Sequence, residues 1–479
     1  MNFEPVIGIE IHVELKTKSK MFSSGPVTFG NMPNTETVLF DWAFPGTMPV
    51  VNKEAVKYGI KIANALNMSV SKTLYFDRKN YFYSDLPKGY QITQQDHPIG
   101  YEGFLEIETS NGKRKIGIER AHLEEDTAKQ LHFGDMSLVD YNRAGTPLVE
   151  IVSKPDIRSG EEASKYVEGI REIVTYLGVS DGKMEEGSLR CDVNISIRPV
   201  GSEKFGTKVE IKNLNSIANV KAAIDYEVER QAELILSGGV VEQETRRYNE
   251  TQKKTELMRK KTNAVDYKYF REPNIVPIDL SDEFIESTIK SMSKLPSAYR
   301  AELQELGLSK YEVDELLRDK KYVLYFVDCL SHNVKNIKTL WNYLMVDVLS
   351  YLNKDEVGIE SLKFTSKSLV SLINMLADGK INSKQAKEVL AVMYESGEDA
   401  QVIVDRLGLS QVSDDSAILE IVKTILANNA QSISDFKAGK DRALGYLVGQ
   451  VMKASQGKAN PSKAKEFILK EIADRKSVV

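Results

Sequence analysis

The stretch VIGIEIHVEL, Val6 to Leu15, decides how the first half of this chain is read. Its second part alternates, with Ile9, Ile11, Val13 and Leu15 on one side of a strand and Glu10, His12 and Glu14 on the other. A strand whose polar face merely meets water usually carries Lys, Thr or Ser there, because like charges on one face repel. Two carboxylates bracketing an imidazole point instead to metal binding or proton transfer. A solvated edge strand is the plain alternative.

The same pattern returns further along. LRCDVNISIRP sets Leu189, Cys191, Val193, Ile195 and Ile197 against Arg190, Asp192, Asn194, Ser196 and Arg198. KVEIKNLNS sets Val209 and Ile211 against Lys208, Glu210 and Lys212, and AHLEEDTAK places Glu124, Glu125 and Asp126 side by side. Several mixed-charge strand faces in one domain imply a shared polar floor able to hold divalent cations and phosphates. Oxygen donors with one imidazole and no thiolate fit Mg²⁺ or Mn²⁺ better than structural zinc. Cys191 falls on the apolar side of its strand and reads as core.

Between the first two of these charged segments lies FDRKNYFYSDLPKGYQITQ, Phe76 to Gln94. It interleaves Arg78, Lys79 and Lys88 with Tyr81, Tyr83 and Tyr90, and Pro87 with Gly89 forces a turn. Such a segment can clamp a nucleotide, lysine on phosphate and ring on base; a half-buried aromatic strand is the alternative.

Composition sets the frame. The chain has 479 residues, 42% hydrophobic and 28% charged, which describes a soluble globular protein of several domains. No apolar run approaches a membrane span, and the start has neither a signal peptide nor an Arg-rich presequence. Two cysteines, far apart, exclude a disulfide framework and suit a reducing cytoplasm. The net charge is −5, but Gln431 to Val479 holds ten Lys/Arg against five Asp/Glu, so the tail is +5 and the remainder −10. A basic tail on an acidic body suits a module that meets a polyanion; a solvated basic helix face would look the same. P-loop, dinucleotide-binding and zinc-protease signatures are absent, so ATP would be handled on an unusual scaffold, and ammonia from glutamine would need another chain.

The texture divides the chain in three. Residues 1–292 carry the strand-like alternation and read as an α+β domain with a largely antiparallel sheet. No βαβ rhythm appears there, so a Rossmann-type sheet is not expected. Residues 293–408 read as successive amphipathic helices. Residues 409–479 form a basic helical tail, with a joint near residue 410.

Taken in order, VIGIEIHVEL, FPGTMPVVN, FDRKNYFYSDLPKGYQITQ, HLEED, DYNRAGTPLVEIVSKPDIRS, KMEEGSLRCDVNISI, KVEIKNLNS, QETRRYNE and GYLVGQVMKASQGKANP are distinctive. From end to end the chain resembles the B subunits of the aspartyl/glutamyl-tRNA(Asn/Gln) amidotransferases. The resemblance implies a cradle-shaped, kinase-like first domain followed by helical and tail domains, the tail gripping tRNA. It implies ATP-dependent phosphorylation of the side-chain carboxylate of Glu-tRNA(Gln) or Asp-tRNA(Asn), then amidation, with ATP and Mg²⁺ bound. Its implied partners are a glutamine-hydrolysing amidase, a small third subunit, and the acceptor stem and elbow of the tRNA. Ammonia would arrive through a tunnel.

By the same resemblance the metal ligands map to Glu10, His12, Glu125 and Asp192, with Glu124, Asn194 and Glu210 as further candidates. Lys79, Lys88, Arg190 and Lys208 map to phosphate contacts, and Tyr81 or Tyr83 to the adenine or aminoacyl end. Many relatives carry cysteine pairs as a zinc knuckle in the region of KMFSSGPVTFGNMPNTETVLFDWAFPG; this chain has none there, so no zinc is expected. Relatives often have Gln where this chain has Glu14. Two other readings use the same residues. A metal-dependent phosphotransferase acting on a free carboxylate metabolite would not need the tail. A non-catalytic tRNA-binding scaffold would use the charged floor as a salt-bridge network.

Overall fold

The computed structural model describes residues 2–260, 266–409, 415–455, 459 and 461–474; the joint expected near residue 410 lies outside the described residues. The chain divides into two compact units, Met1–Ala298 and Tyr299–Val479.

In the first unit the strands are β1 (Phe3–Glu14), β2 (Ser69–Val70), β3 (Thr73–Leu74), β4 (Asp77–Asn80), β5 (Tyr90–Thr93), β6 (Gly100–Thr109), β7 (Gly112–Glu125) and β8 (Lys129–Phe133). They continue as β9 (Met136–Asp140), β10 (Pro147–Ser153), β11 (Leu189–Pro199), β12 (Val209–Lys212), β13 (Glu244–Asn249), β14 (Lys254–Lys260), β15 (Phe270–Arg271) and β16 (Ile278–Asp279). The helices packed with them are α1 (Lys53–Ala65), α2 (Gly160–Tyr176) and α3 (Ile217–Leu236). Asn52, Ser159 and Ser216 cap these helices by accepting from first-turn amides, each cap worth about 1 kcal/mol.

Nine strands form one sheet in the order β14–β13–β12–β11–β1–β10–β7–β6–β2, so the opening strand lies inside it and not at an edge. All neighbours are antiparallel except β12 and β13. Those two are parallel because α3 carries the chain back across the sheet, a single βαβ crossover where the sequence pattern predicts none.

The alternation of β1 is realised in full. Ile7, Ile9, Ile11, Val13 and Leu15 are buried in one core with Cys191, Val193, Ile195, Val149, Ile151, Leu123 and the apolar faces of α1 to α3. Burying an Ile or Val side chain contributes about 1.5–3 kcal/mol, which fixes the register: a one-residue slip would turn this face to water. The opposite face is left polar.

Against the end of β7 lies a second, three-stranded sheet, β15–β4–β5. Its β4–β5 hairpin turns at Gly89, whose φ of +72° is the left-handed conformation the Pro87–Gly89 turn calls for. The segment between β1 and α1 has no regular strand or helix beyond an isolated bridge. It is pinned by a buried ion pair, Lys20 Nζ to Asp41 Oδ2 at 2.9 Å, with Ser23 Oγ and Val38 N also donating to Asp41.

The second unit is helical. Its helices from Lys310 to Leu407 bury Leu316, Phe326, Leu344, Leu369, Ile373 and Leu390, with one π-helical turn at Tyr343–Val348. The last helices, from Asp415–Asn428 to Pro461–Asp474, enclose a core of their own around Ile418, Val422, Leu426, Leu447, Val451 and Ile468. No described helix is long and apolar enough to cross a membrane. The fold class is thus α+β with a largely antiparallel sheet, followed by helices.

Candidate active site

Residues directly opposite in an antiparallel ladder share a face, so the strand order states which polar groups meet. His12 on β1 faces Arg190 on β11 and Glu150 on β10, and Glu150 in turn faces His122 on β7. One row thus reads Arg190, His12, Glu150, His122 across four strands. In the next row Glu10 faces Asp192. On the other side Glu14 and Glu124 flank Leu148.

The groups converge where the rows meet. His12 Nε2 lies 3.5 Å from Glu150 Oε2 and 3.7 Å from Glu124 Oε1. His122 Nε2 lies 3.0 Å from Glu150 Oε2 and 3.7 Å from Glu124 Oε2. Burial alone would lower the His122 imidazolium, but Glu150 and Glu124 reverse that and raise its pKa to about 9. His12 is raised for the same reason, chiefly by Glu150 against the cost of burial. Burial would raise Glu150, yet the two imidazoles hold it well below the usual carboxylate range. Glu14 goes the other way: burial, then the neighbouring Asp126 carboxylate, raises it to about 8.

His12, Glu124 and Glu150 each present one ligand atom, and these atoms lie within 4.8 Å of one another. Two carboxylates and one imidazole are a donor set for a hard divalent cation. The Nδ1 atom of His122, a buried ring next in the same row, has no hydrogen-bond partner among the described residues. The residues present therefore fit a Mg²⁺-type ion.

The other residues singled out in the sequence fall around this point. Glu125 turns away from His12; it accepts from Lys88 Nζ at 2.8 Å and from Ile92 N at 3.1 Å, anchoring the hairpin, while Gln91 Nε2 donates to its carbonyl. Thr93 Oγ1 donates to Glu124, so the hairpin grips both acids of the pair. Asp192 is bound by Lys212, and Glu10 accepts from Asn194 Nδ2 at 2.8 Å. Glu10 is raised by burial and by the carboxylates of Glu150 and Asp192. Glu210 accepts from Thr245 Oγ1 two strands away from the cluster. Arg190 pairs with Asp126, whose carboxyl it holds down against the cost of burial. Lys79 on β4 is raised against the cost of burial, chiefly by the Glu124 carboxylate; Tyr81 lies beside it, Tyr83 is exposed, and Lys208 is exposed at the entry to β12.

Glu150 and His122 are not among the residues that the sequence pattern singles out. Glu150 is the single acid in the apolar run PLVEIVS, which carries no mixed-charge face. His122 opens HLEED, where three adjacent acids are the more prominent feature; its even spacing from Glu124 is the available signal.

Residues 5–286 match the family model described as GatB/GatE catalytic domain, and residues 325–472 match the GatB domain model. The B subunit of the aspartyl/glutamyl-tRNA(Asn/Gln) amidotransferase of Bacillus velezensis is 51% identical over 477 residues, 99% of this chain and 100% of the relative. Its counterparts in Geobacillus thermodenitrificans and Enterococcus faecalis are each 50% identical over 477 residues, with the same coverage. A match of this depth from one end to the other admits one assignment: the chain belongs to the GatB family of amidotransferase B subunits.

Proposed function

We propose that this chain carries the ATP-dependent half of a glutamine-hydrolysing, tRNA-dependent amidotransferase, a carbon–nitrogen ligase. It phosphorylates the side-chain carboxylate of Glu-tRNA(Gln), Asp-tRNA(Asn) or both, and the acyl phosphate is then amidated. The relatives are named for these tRNAs. The observation that carries the reading to this chain is the convergence of His12, Glu124 and Glu150 on one spot of the sheet.

A carboxylate resists attack by ammonia because its leaving group would be oxide; as an acyl phosphate it loses phosphate instead. The first step sets a triphosphate beside a carboxylate, and Mg²⁺ held by His12, Glu124 and Glu150 would screen that repulsion and polarise the transferring group. Lys79 and Arg190 border this point and meet phosphate oxygens, while Lys88 is steadied by Glu125 at the hairpin. Glu10 and Asp192, in the adjacent row, extend the acidic wall. The relatives are named as one subunit of the amidotransferase, and the ammonia comes from a partner amidase, with a small third subunit completing the assembly. Residues 1–292 supply the catalytic cradle, 293–408 the helical domain and 409–479 the basic tail that grips tRNA, all in the cytoplasm.

The test uses the chain assembled with its amidase and small partner, given Glu-tRNA(Gln), labelled ATP, Mg²⁺ and ammonium. ADP release coupled to Gln-tRNA(Gln), abolished by Glu150→Gln with tRNA binding retained, supports the reading. Binding of tRNA with no ATP consumed by the unaltered complex rejects it.

A further inference from the structure

Two tyrosine pairs, far apart in sequence, meet beside the floor. Tyr81 and Tyr83 follow β4; Tyr267 and Tyr269 precede β15. They are brought together because Asn80 N donates to Tyr267 O at 2.9 Å and Asn80 Nδ2 to Lys268 O at 2.8 Å, extending the β4–β15 ladder. The rings run in one row. Tyr83 to Tyr81, Tyr81 to Tyr267 and Tyr267 to Tyr269 are each 5.9 Å between centroids, with interplanar angles of 64°, 75° and 63°.

This row is not core packing. Tyr81 and Tyr267 are half-buried, while the ends, Tyr83 and Tyr269, are 60% and 38% exposed. None of the four belongs to the buried cluster behind the sheet. The middle of the row meets the lysine of the site: Lys79 Nζ lies 5.0 Å from the Tyr267 ring and 5.9 Å from the Tyr81 ring. Lys268, between the two later tyrosines, is exposed.

A lone adenine needs one ring and a closed slot. Several rings set edge to face along an open row offer successive faces to splayed bases, with cations beside them for phosphates, as in single-strand binding surfaces. We propose that Tyr83, Tyr81, Tyr267 and Tyr269 are the track for the single-stranded acceptor end of the aminoacylated RNA. Its terminal bases stack on the rings, Lys268 meets phosphate, and the esterified amino acid reaches Glu124 and Glu150 past Lys79. This rests on the reading of the substrate as an aminoacyl-tRNA.

The experiment places 2-aminopurine at the terminal base of the tRNA and measures its fluorescence in the assembled complex, with KM for aminoacyl-tRNA and for ATP measured separately. Quenching is expected on binding. Tyr267→Leu and Tyr269→Leu relieve it and raise KM for aminoacyl-tRNA roughly tenfold with KM for ATP unchanged, while Tyr269→Phe, which keeps the ring, restores both. Tyr83→Leu, at an exposed position, repeats the test without disturbing packing. An unquenched probe in a complex that still forms product overturns the track. A rise confined to KM for ATP overturns it as well, assigning the row to the nucleotide. Failure of the unaltered complex to amidate natural aminoacyl-tRNA overturns instead the functional reading beneath it.

Discussion

His12 and Glu150 face one another across the β1–β10 ladder, with Nε2 and Oε2 3.5 Å apart and Glu124 within reach of both. Glu150→Gln keeps the shape of this contact and removes its charge. Mn²⁺ titration followed by EPR on the purified chain is expected to show affinity weakened on the order of 100-fold or more. Native Mn²⁺ affinity in that variant would remove the cluster as a cation site.

Asp192 stands one row away and is neutralised by Lys212. Asp192→Asn is expected to leave tRNA affinity unchanged and to lose ATP-dependent activation, because the freed lysine is left to compete for phosphate. Normal amidation by this variant would show that the second row takes no part.

The buried Lys20–Asp41 pair holds the irregular segment before α1. Lys20→Met strands a carboxylate at a site that is 3% exposed and should cost about 3–5 kcal/mol in urea unfolding. Changing both, Lys20→Met with Asp41→Leu, should recover much of the loss. Equal destabilisation by the single and double changes would mean that packing, not charge, sets the effect.

Both thiols are buried, and burial raises the thiol pKa, that of Cys329 to about 12 and that of Cys191 well above its ordinary value. Since the thiolate is the reactive form, neither should react with a disulfide reagent at pH 8 until the chain unfolds. Rapid labelling of one native thiol would contradict the packing of that residue.

The last helices enclose their own core, so the chain can be ended after residue 409 without opening the first unit. In the assembled complex this truncation should weaken tRNA binding and flatten its dependence on salt, because fewer phosphate contacts release fewer counterions. An unchanged salt slope would relocate the grip.

Much of the floor is legible in the sequence because alternation is a local signal: one strand's own residues declare that Glu10, His12, Asp192 and Glu210 share faces opposite the core. What alternation does not encode is strand order. Only the placement of β1 between β10 and β11 brings Glu150 beside His12, and no local pattern in PLVEIVS announces it. The two acids of HLEED show the same limit. Adjacent strand residues point to opposite sides, so one had to face the floor and the other the hairpin. The resemblance favours Glu125 as ligand, whereas the geometry brings Glu124 to His12 and gives Glu125 to Lys88. Tyr267 and Tyr269 are unreadable for a related reason: their partners lie nearly two hundred residues earlier, and only the β4–β15 pairing joins them.

The irregularity in the β10–β7 ladder falls between Val152 and Ser153, just beyond the row that holds Glu150 and His122. Beyond that point, away from the row, the strands can slip or lengthen without disturbing it, whereas one inserted residue between Leu148 and Glu150 would put a core side chain in the place of Glu150. The chain therefore has a built-in tolerance map. Length changes should accumulate in the connections and past the bulge, and should be purged from the short central segments of β1, β7, β10 and β11. In this fold the polar floor is inherited as spacing as much as identity.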